Sequence, residues 1–508
     1  MTDQAVSKTL IELLDAADPS SVAIRVPGGP SVTYDSLKRQ VYSLAGQLKG
    51  LGIVRNDRVA IVMPNSIESI ISFLGVSAVA TAAPLNQAYK EDEFKFYMED
   101  IKSRVLITSS QEGDAARAAA AESTIQIDAS LEDSGEVVYS ASGPGRNTSS
   151  SSPDNPNPDD VALVLHTSGT TSRPKRVPLT HANLVTSTRN IVKTYGLNPD
   201  DNSMCVMPLF HIHGLVASTL STFASGGTVV VPQRFGVLGF WRLVQETGAT
   251  WYSAVPTIHQ SLLHRASGAG GLDSSLLQSL RFIRSCSAPL SSAVMLEMEE
   301  RFGVPVVEAY GMTEASHQMT SNLLPPGDRV PGTVGVETGV SMGIMDEAGN
   351  LLSPGSRGEV VTRGANVIDA YEDNPEANAS SFTNGWFRTG DEGVVDARGY
   401  LSLVGRLKEM INRSGEKISP LEIDDVLMAH PAVGEAVAFG VPSAVHGEEP
   451  SAAVVLSGEA SESDLIAYCR ERLADFKCPR TIHIVESIPR TATGKVQRRI
   501  VAQVIVGS

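Results

Sequence analysis

The chain of 508 residues exceeds the roughly 250–300 over which one core grows, so more than one domain is expected. Hydrophobic residues make up 42% and charged residues 19%, a balance that excludes a disordered chain. A formal net charge of −16 excludes general nucleic-acid binding, because no broad positive field attracts phosphates; a local positive pocket for a small anion stays compatible with it.

From the N-terminus, Thr33 is placed to cap a helix over Ser36–Gly50, with Leu37, Val41, Leu44 and Leu48 on one face and Gly50 and Gly52 closing it. Arg58–Met63 reads as a short buried strand ended by Pro64-Asn65. Helices and apolar strands alternate to about residue 130, the pattern of an α/β layer fold. Residues 140–160 turn to Ser, Pro, Asn, Gly and Asp, the composition of an exposed connector.

Val161–His166 is a buried-strand pattern that runs into Thr167-Ser168-Gly169-Thr170-Thr171-Ser172-Arg173-Pro174-Lys175. Hydroxyls and backbone N–H groups in a glycine-containing loop after a strand make a cradle for phosphate oxygens, and the lysine adds compensating charge. An ordinary Ser/Thr turn is the other reading, and the length of the run ending in Pro-Lys favours the cradle. The Walker A pattern matches neither here nor at Gly494-Lys495.

A second boundary falls near Gly405-Arg406-Leu407-Lys408. Beyond it Ser419-Pro420-Leu421-Glu422 reads as a capping box with proline at the first helical position, followed by a strand at Ala452–Leu456 and a helix at about Ser463–Leu473. The C-terminal hundred or so residues thus form a small α+β unit of ordinary domain size. Four scattered cysteines, with no C-x-x-C pair, indicate a reducing compartment. No signal-peptide pattern, no apolar run of about 18 residues and no peroxisomal tripeptide occur, so a cytoplasmic protein without a membrane partner is expected.

The Thr167–Lys175 segment resembles the phosphate loop of the adenylate-forming superfamily, which includes acyl-CoA synthetases, firefly-type luciferases and peptide-synthetase adenylation domains. Family members usually carry glycine where this chain has Ser172 and Arg176; were positive φ needed at 176, arginine would cost about 1 kcal/mol or more there. Its guanidinium would otherwise contact ATP or point to solvent.

Further segments resemble the same family, in the family's order, across essentially the whole chain. Pro208-Leu209-Phe210-His211-Ile212-His213-Gly214 resembles the stretch whose histidine borders the acyl pocket, which implies substrate contact at His211. Ser287-Ala288-Pro289 resembles the loop beneath adenine, and Tyr310-Gly311-Met312-Thr313-Glu314 the adenine-stacking and metal-binding motif, preceded by Glu308 and Ala309. The resemblance implies that Tyr310 stacks on adenine, Thr313 bonds the α-phosphate and Glu314 coordinates Mg²⁺. Trp386–Asp391 resembles the element whose aspartate takes both ribose hydroxyls, with Arg406 adding a contact. Lys408 falls at the family's hinge, Ser414-Gly415-Glu416 in the loop lining the coenzyme A tunnel, and Lys495 in the C-terminal lysine motif Pro489–Lys495.

The ATP-binding set implied is Thr167, Ser168, Gly169, Thr170, Thr171, Lys175, Ser287, Ala288, Pro289, Glu308, Ala309, Tyr310, Thr313, Asp391, Arg406 and Lys495, with Lys495, Thr313 and Glu314 as catalytic groups. The fold implied is α/β. A large N-terminal domain of layered β-sheets with flanking helices spans 1–406, a hinge 407–408 and a small mobile α+β domain 409–508. The activity implied is ATP-dependent acid–coenzyme A ligation through an acyl-adenylate, with ATP, Mg²⁺ and coenzyme A required.

The acyl pocket is expected to be polar. Arg284-Ser285-Cys286-Ser287 precedes the adenine loop and Ala315-Ser316-His317 follows Glu314, where a large apolar acid would want an apolar wall. Ser287 and His317 can hydrogen-bond a second carboxylate, the latter as imidazolium, and His211 and Arg284 join them as substrate contacts. Together with Trp251–Gln260 and Arg281–Ser287, this pattern closely resembles the oxalate–CoA ligase subgroup, which makes oxalate the leading acid. A 4-coumarate-type or short-chain acyl-CoA ligase, and a nucleotide-binding protein with impaired catalysis, stay open as alternatives, as does the oligomeric state.

Overall fold

The computed structural model describes residues 7–142, 155–167, 174–266, 273–491 and 495–507. Among these, the chain forms four sheets. The first has seven strands, in spatial order Val137–Ser142, Ile125–Leu131, Val105–Ser109, Arg58–Val62, Thr81–Pro84, Val161–Thr167 and Lys175–Thr180. Its central pairs are parallel, and the edge pairs are antiparallel. Strands such as Arg58–Val62 are buried from Val59 onward, which explains an unbroken apolar run rather than alternation.

The second sheet has nine strands, and its parallel centre runs through Asn202–Met204, Trp251–Ala254, Phe282–Ser285 and Val306–Met312. One hydrophobic core joins it to the first sheet through helices such as Tyr34–Gly50 and Ile67–Ser77. Thr33 caps the first of these as expected, its Oγ1 accepting from the Ser36 N–H at 3.2 Å, although the helix begins at Tyr34. A third, antiparallel sheet holds Ser341–Met345, Arg357–Arg363, Phe382–Thr383, Trp386–Val395 and Leu401–Arg406.

The fourth sheet contains only residues from Ile411 onward, and it has its own core of Ile411, Ile418, Ile423, Leu427, Ala452, Val454, Leu465 and Ile482. A large layered unit followed by a small α+β unit is therefore what the chain builds. Ser419 caps the helix Pro420–Met428, accepting from the Glu422 N–H at 3.4 Å. The reciprocal half of the expected capping box is absent, because the Glu422 carboxylate is drawn to Lys477 Nζ at 2.7 and 2.8 Å. A full capping box occurs instead at Ser461 and Asp464, which start the helix Glu462–Arg470. The expected connector over 140–160 lies mostly outside the described residues, and Val137–Ser142 is a strand. All four cysteines are free and buried, and no helix among the described residues is long and apolar enough to cross a membrane.

Candidate active site

Parallel strands end in one direction, and the side chains and loops at their carboxyl ends gather there. In the second sheet Ser253 and Arg284 are register partners, and Ser285 and Glu308 pair at the next residue along, so polar groups from three strands lie at two successive levels. Arg284 is fully buried. Its guanidinium donates to Tyr195 Oη at 2.9 Å, Ser253 Oγ at 2.9 Å, Gln318 Oε1 at 3.0 Å and His317 Nδ1 at 3.4 Å. Among the described residues, no carboxylate forms an ion pair with it.

His213 lies beside this cation. One ring nitrogen meets Ser253 Oγ at 2.6 Å and the other Ser287 Oγ at 3.0 Å, and its ring centroid is 5.1 Å from that of His317. Burial and the neighbouring His317 hold His213 well below the ordinary histidine pKa, and burial with Arg284 does the same to His317. Burial also pushes His211 down to about 3, helped by Lys495. Burial therefore favours the neutral form of all three imidazoles, against the imidazolium expected at His317, because a second cation beside buried Arg284 is electrostatically unfavourable.

The backbone here is held in unusual conformations. Ser287, Ser316 and His317 have φ of 73°, 52° and 105°, a region where a side chain is strained unless its surroundings fix it. Gly311 is required by packing, since a Cβ there would lie 1.7 Å from the His317 carbonyl oxygen. Gly214 is similarly required in the π-helical segment His213–Leu220, where a Cβ would come within 2.4 Å of the Pro208 carbonyl oxygen.

At the other end of the site Glu314 is buried, and its Oε1 accepts from Tyr371 Oη at 2.9 Å. Lys175 Nζ lies 4.4 Å from the Tyr371 ring centroid. Burial lowers the Lys175 pKa, Glu314 opposes this and Lys408 adds to it, so all three charges share one neighbourhood. Asp391 is buried between Tyr310, whose hydroxyl donates to Oδ2, and Arg406, whose Nε is 2.7 Å from Oδ1. Lys495 reaches this region from the C-terminal unit: burial lowers its pKa, and Cys286, Arg406, Glu314 and Asp391 all act on its charge.

Most residues expected from the sequence are thus brought together. Thr167 and Lys175 flank the segment expected to be a phosphate loop, while Ser168, Gly169, Thr170 and Thr171 lie outside the described residues, as do Ser172 and the Ala492–Gly494 part of the lysine motif. Ala288 and Pro289 continue the Ser287 loop, which Glu308 braces through Oε1 to the Leu290 N–H at 2.9 Å; burial pushes the Glu308 carboxyl up to about 8. Ala309 is buried beside Tyr310, and Thr313 opens the turn that carries Glu314. Ser414, Gly415 and Glu416 are exposed on the small unit, where Ser414 Oγ meets His446 Nδ1 at 2.8 Å.

Arg176 departs from expectation. It sits in the strand Lys175–Thr180 opposite His166, not at positive φ, and its guanidinium meets Asp100, Glu372 and Asp373 rather than open solvent. His213, Ser253, Tyr195, Gln318 and Tyr371 were not singled out as site residues from the sequence. A serine inside the fully buried strand Trp251–Ala254 is a usable signal for Ser253; Tyr371 offers none.

Residues 15–372 match the family model described as AMP-binding enzyme, and residues 422–495 match its C-terminal domain. The chain is 46% identical to the oxalate–CoA ligase of Arabidopsis thaliana over 97% of both chains, and 44% identical to that of Saccharomyces cerevisiae over 90% of this chain and 88% of the other. Its structure is similar to ATP-bound MatB from Rhodopseudomonas palustris, with a TM-score of 0.88 at 31% identity and 98% coverage of each. A buried polar cluster at the ends of parallel strands, charged groups around Glu314 and a C-terminal lysine near both accord with these likenesses: the chain belongs to the AMP-binding, adenylate-forming family of enzymes.

Proposed function

We propose that this chain joins oxalate to coenzyme A, through an oxalyl-adenylate, at the expense of ATP, with pyrophosphate and AMP as products. The observation that carries the reading is Arg284, a buried cation without a carboxylate partner among the described residues, set behind His213 and His317, whose neutral forms burial favours. A buried charge lacking a counter-ion is costly, and an anionic substrate supplies one. Oxalate has two adjacent carboxylates, so one can lie against Ser287, His213 and His317 while the other is the nucleophile. The 46% identity to a plant oxalate–CoA ligase supports the same choice.

In the first half-reaction an oxalate oxygen attacks the α-phosphorus and pyrophosphate departs. Lys495, with Arg406 and Lys175 nearby, offsets the negative charge that crowds between carboxylate and phosphate. Asp391 retains acceptor capacity for the ribose hydroxyls, and Tyr310 is fixed by its bond to Asp391. Glu314 suits a magnesium ion: it is a single buried carboxylate with Oε1 held by Tyr371, and no cluster of three or more metal-binding side chains occurs among the described residues, which fits a metal shared with phosphate oxygens. Magnesium would supply charge neutralisation on the departing pyrophosphate.

In the second half-reaction the thiolate of coenzyme A attacks the acyl carbon and AMP leaves. Residues 409–508 turn about 407–408, with Lys408 as hinge, to withdraw Lys495 and bring Ser414, Gly415 and Glu416 to the site. Four free, buried cysteines accord with a cytoplasmic setting.

The test is release of AMP with ATP and coenzyme A over oxalate, malonate, acetate and 4-coumarate. Oxalate is expected to lead in kcat/KM by about a hundredfold or more, as hydrogen-bonding sites reject substrates that leave buried groups unpaired. Comparable rates across the panel would defeat the choice of oxalate, and no AMP with any acid would defeat the ligase reading.

A further inference from the structure

Lys175 and Arg176 are neighbours on one strand, so their side chains leave it on opposite faces. Both nevertheless end on the same short segment. Lys175 Nζ rests over the Tyr371 ring, while the Arg176 guanidinium takes the next two residues, with Nε 3.3 Å from Glu372 Oε2 and Nη2 on Asp373 Oδ2. The backbone joins in, since the Glu372 N–H donates to the Arg176 carbonyl at 3.2 Å. Residues 371–373 are therefore gripped by two consecutive residues of the strand that closes the expected phosphate loop.

The grip is anchored at its far side. Arg176 Nη1 donates to the carbonyl and to Oδ2 of Asp100, the last residue of the helix Glu91–Asp100, at 2.8 and 3.0 Å. The Asp100 side chain is only 4% exposed and also meets His166 Nε2 at 3.0 Å. Glu372 Oε1 is held in turn by Arg58 at 2.5 Å. Asp373 adopts a left-handed φ of 48°, which its contact with Arg176 helps to fix. One residue before this cluster, the Tyr371 hydroxyl fixes Glu314.

We infer that Arg176 is a positioning residue for the proposed metal–triphosphate end of the site, holding Tyr371, and through it Glu314, against the strand Lys175–Thr180 beside Lys175. The inference rests on the proposed ATP site and goes beyond it. Glycine at 176 leaves the strand and its backbone bond to Glu372 intact but cannot bridge Asp100 to Glu372 and Asp373, so the 371–373 segment loses its side-chain tie to Asp100. A planar guanidinium serves three carboxylates at once; lysine, a single point charge, serves them only in part.

The test measures binding rather than turnover. Calorimetric titrations of wild type, R176G and R176K with Mg·ATP, with ATP in EDTA and with AMP separate the alternatives, and thermal melts check folding. R176G is expected to weaken Mg·ATP about tenfold, the loss expected when charge-assisted hydrogen bonds go. AMP is expected to stay within about twofold, because it carries no triphosphate; metal-free ATP is expected to weaken less than Mg·ATP, because it uses Lys175 but not Glu314, and R176K to fall between wild type and R176G. Unchanged Mg·ATP affinity in R176G overturns the inference, as does equal weakening of all three ligands, which would mark general damage. A wild-type protein that binds Mg·ATP but ligates no acid sinks the proposed function and leaves this test standing.

Discussion

The two ends of the site are built on different principles. Around Arg284 every hydrogen bond comes from strands, helices and turns of the large unit: Tyr195, His213, Ser253, Ser287, His317 and Gln318 are locked by hydrogen bonds of 2.6–3.4 Å, and burial favours neutral imidazoles. Around Glu314 the groups are charged, several are partly exposed, and one of them, Lys495, comes from the other unit. The acyl end is organised before any substrate arrives, so it suits discrimination. The end around Glu314 takes one cation from the other unit, which suits the proposed two-step reaction. The wall around Arg284 and the Lys495 cation come from different units.

The sharpest way to break this contrast is Lys495→Ala. Pyrophosphate exchange is expected to fall by about a thousandfold, the scale of losing one charge-stabilising group, while thioester formation from supplied oxalyl-adenylate continues. Near wild-type exchange in that variant would mean that the C-terminal lysine is a bystander. Arg284→Gln probes the fixed wall. There kcat/KM for oxalate should drop by about a hundredfold, with Mg·ATP affinity unchanged, because the lost cation serves the acid alone. If Mg·ATP binding falls equally, the two ends are not separable and the contrast fails.

Glu308→Gln gives the smallest effect and sharpens the picture of the brace beneath the adenine loop. Burial holds this carboxyl near 8, against 4.5 when free. The unfolded chain therefore loses its proton first, so the stability that Glu308 contributes is full below about pH 4.5 and declines as pH rises toward about 8. The glutamine has no proton to lose. In urea melts the variant should gain on wild type between pH 5 and pH 8 by at least about 1.4 kcal/mol, the worth of one pKa unit. A difference independent of pH would show that Glu308 is ionised in the folded protein.

Local structure was largely legible from the chain. The Thr33 cap, the Arg58 strand, the strand before Thr167 and the α+β character of the last hundred residues all follow from periodicity and capping chemistry, which act over a few residues. The capping box at Ser419 was only half realised because Glu422 found Lys477, 55 residues away. Residues expected at the site from compact segments, such as Tyr310–Glu314, Asp391 and Lys495, were named through the family resemblance, and they lie near one another in the structure.

Composition, element order and the chemical types of the site residues were thus determined by the sequence itself. Tertiary structure alone decided that His213 rather than His211 bridges Ser253 and Ser287, that Arg284 is a buried cation, that burial favours a neutral His317, and that Arg176 faces Asp100, Glu372 and Asp373. The reason is physical: conformational preference is set by neighbours along the chain, whereas charge state and pairing are set by desolvation and by partners that only folding brings within a few ångströms.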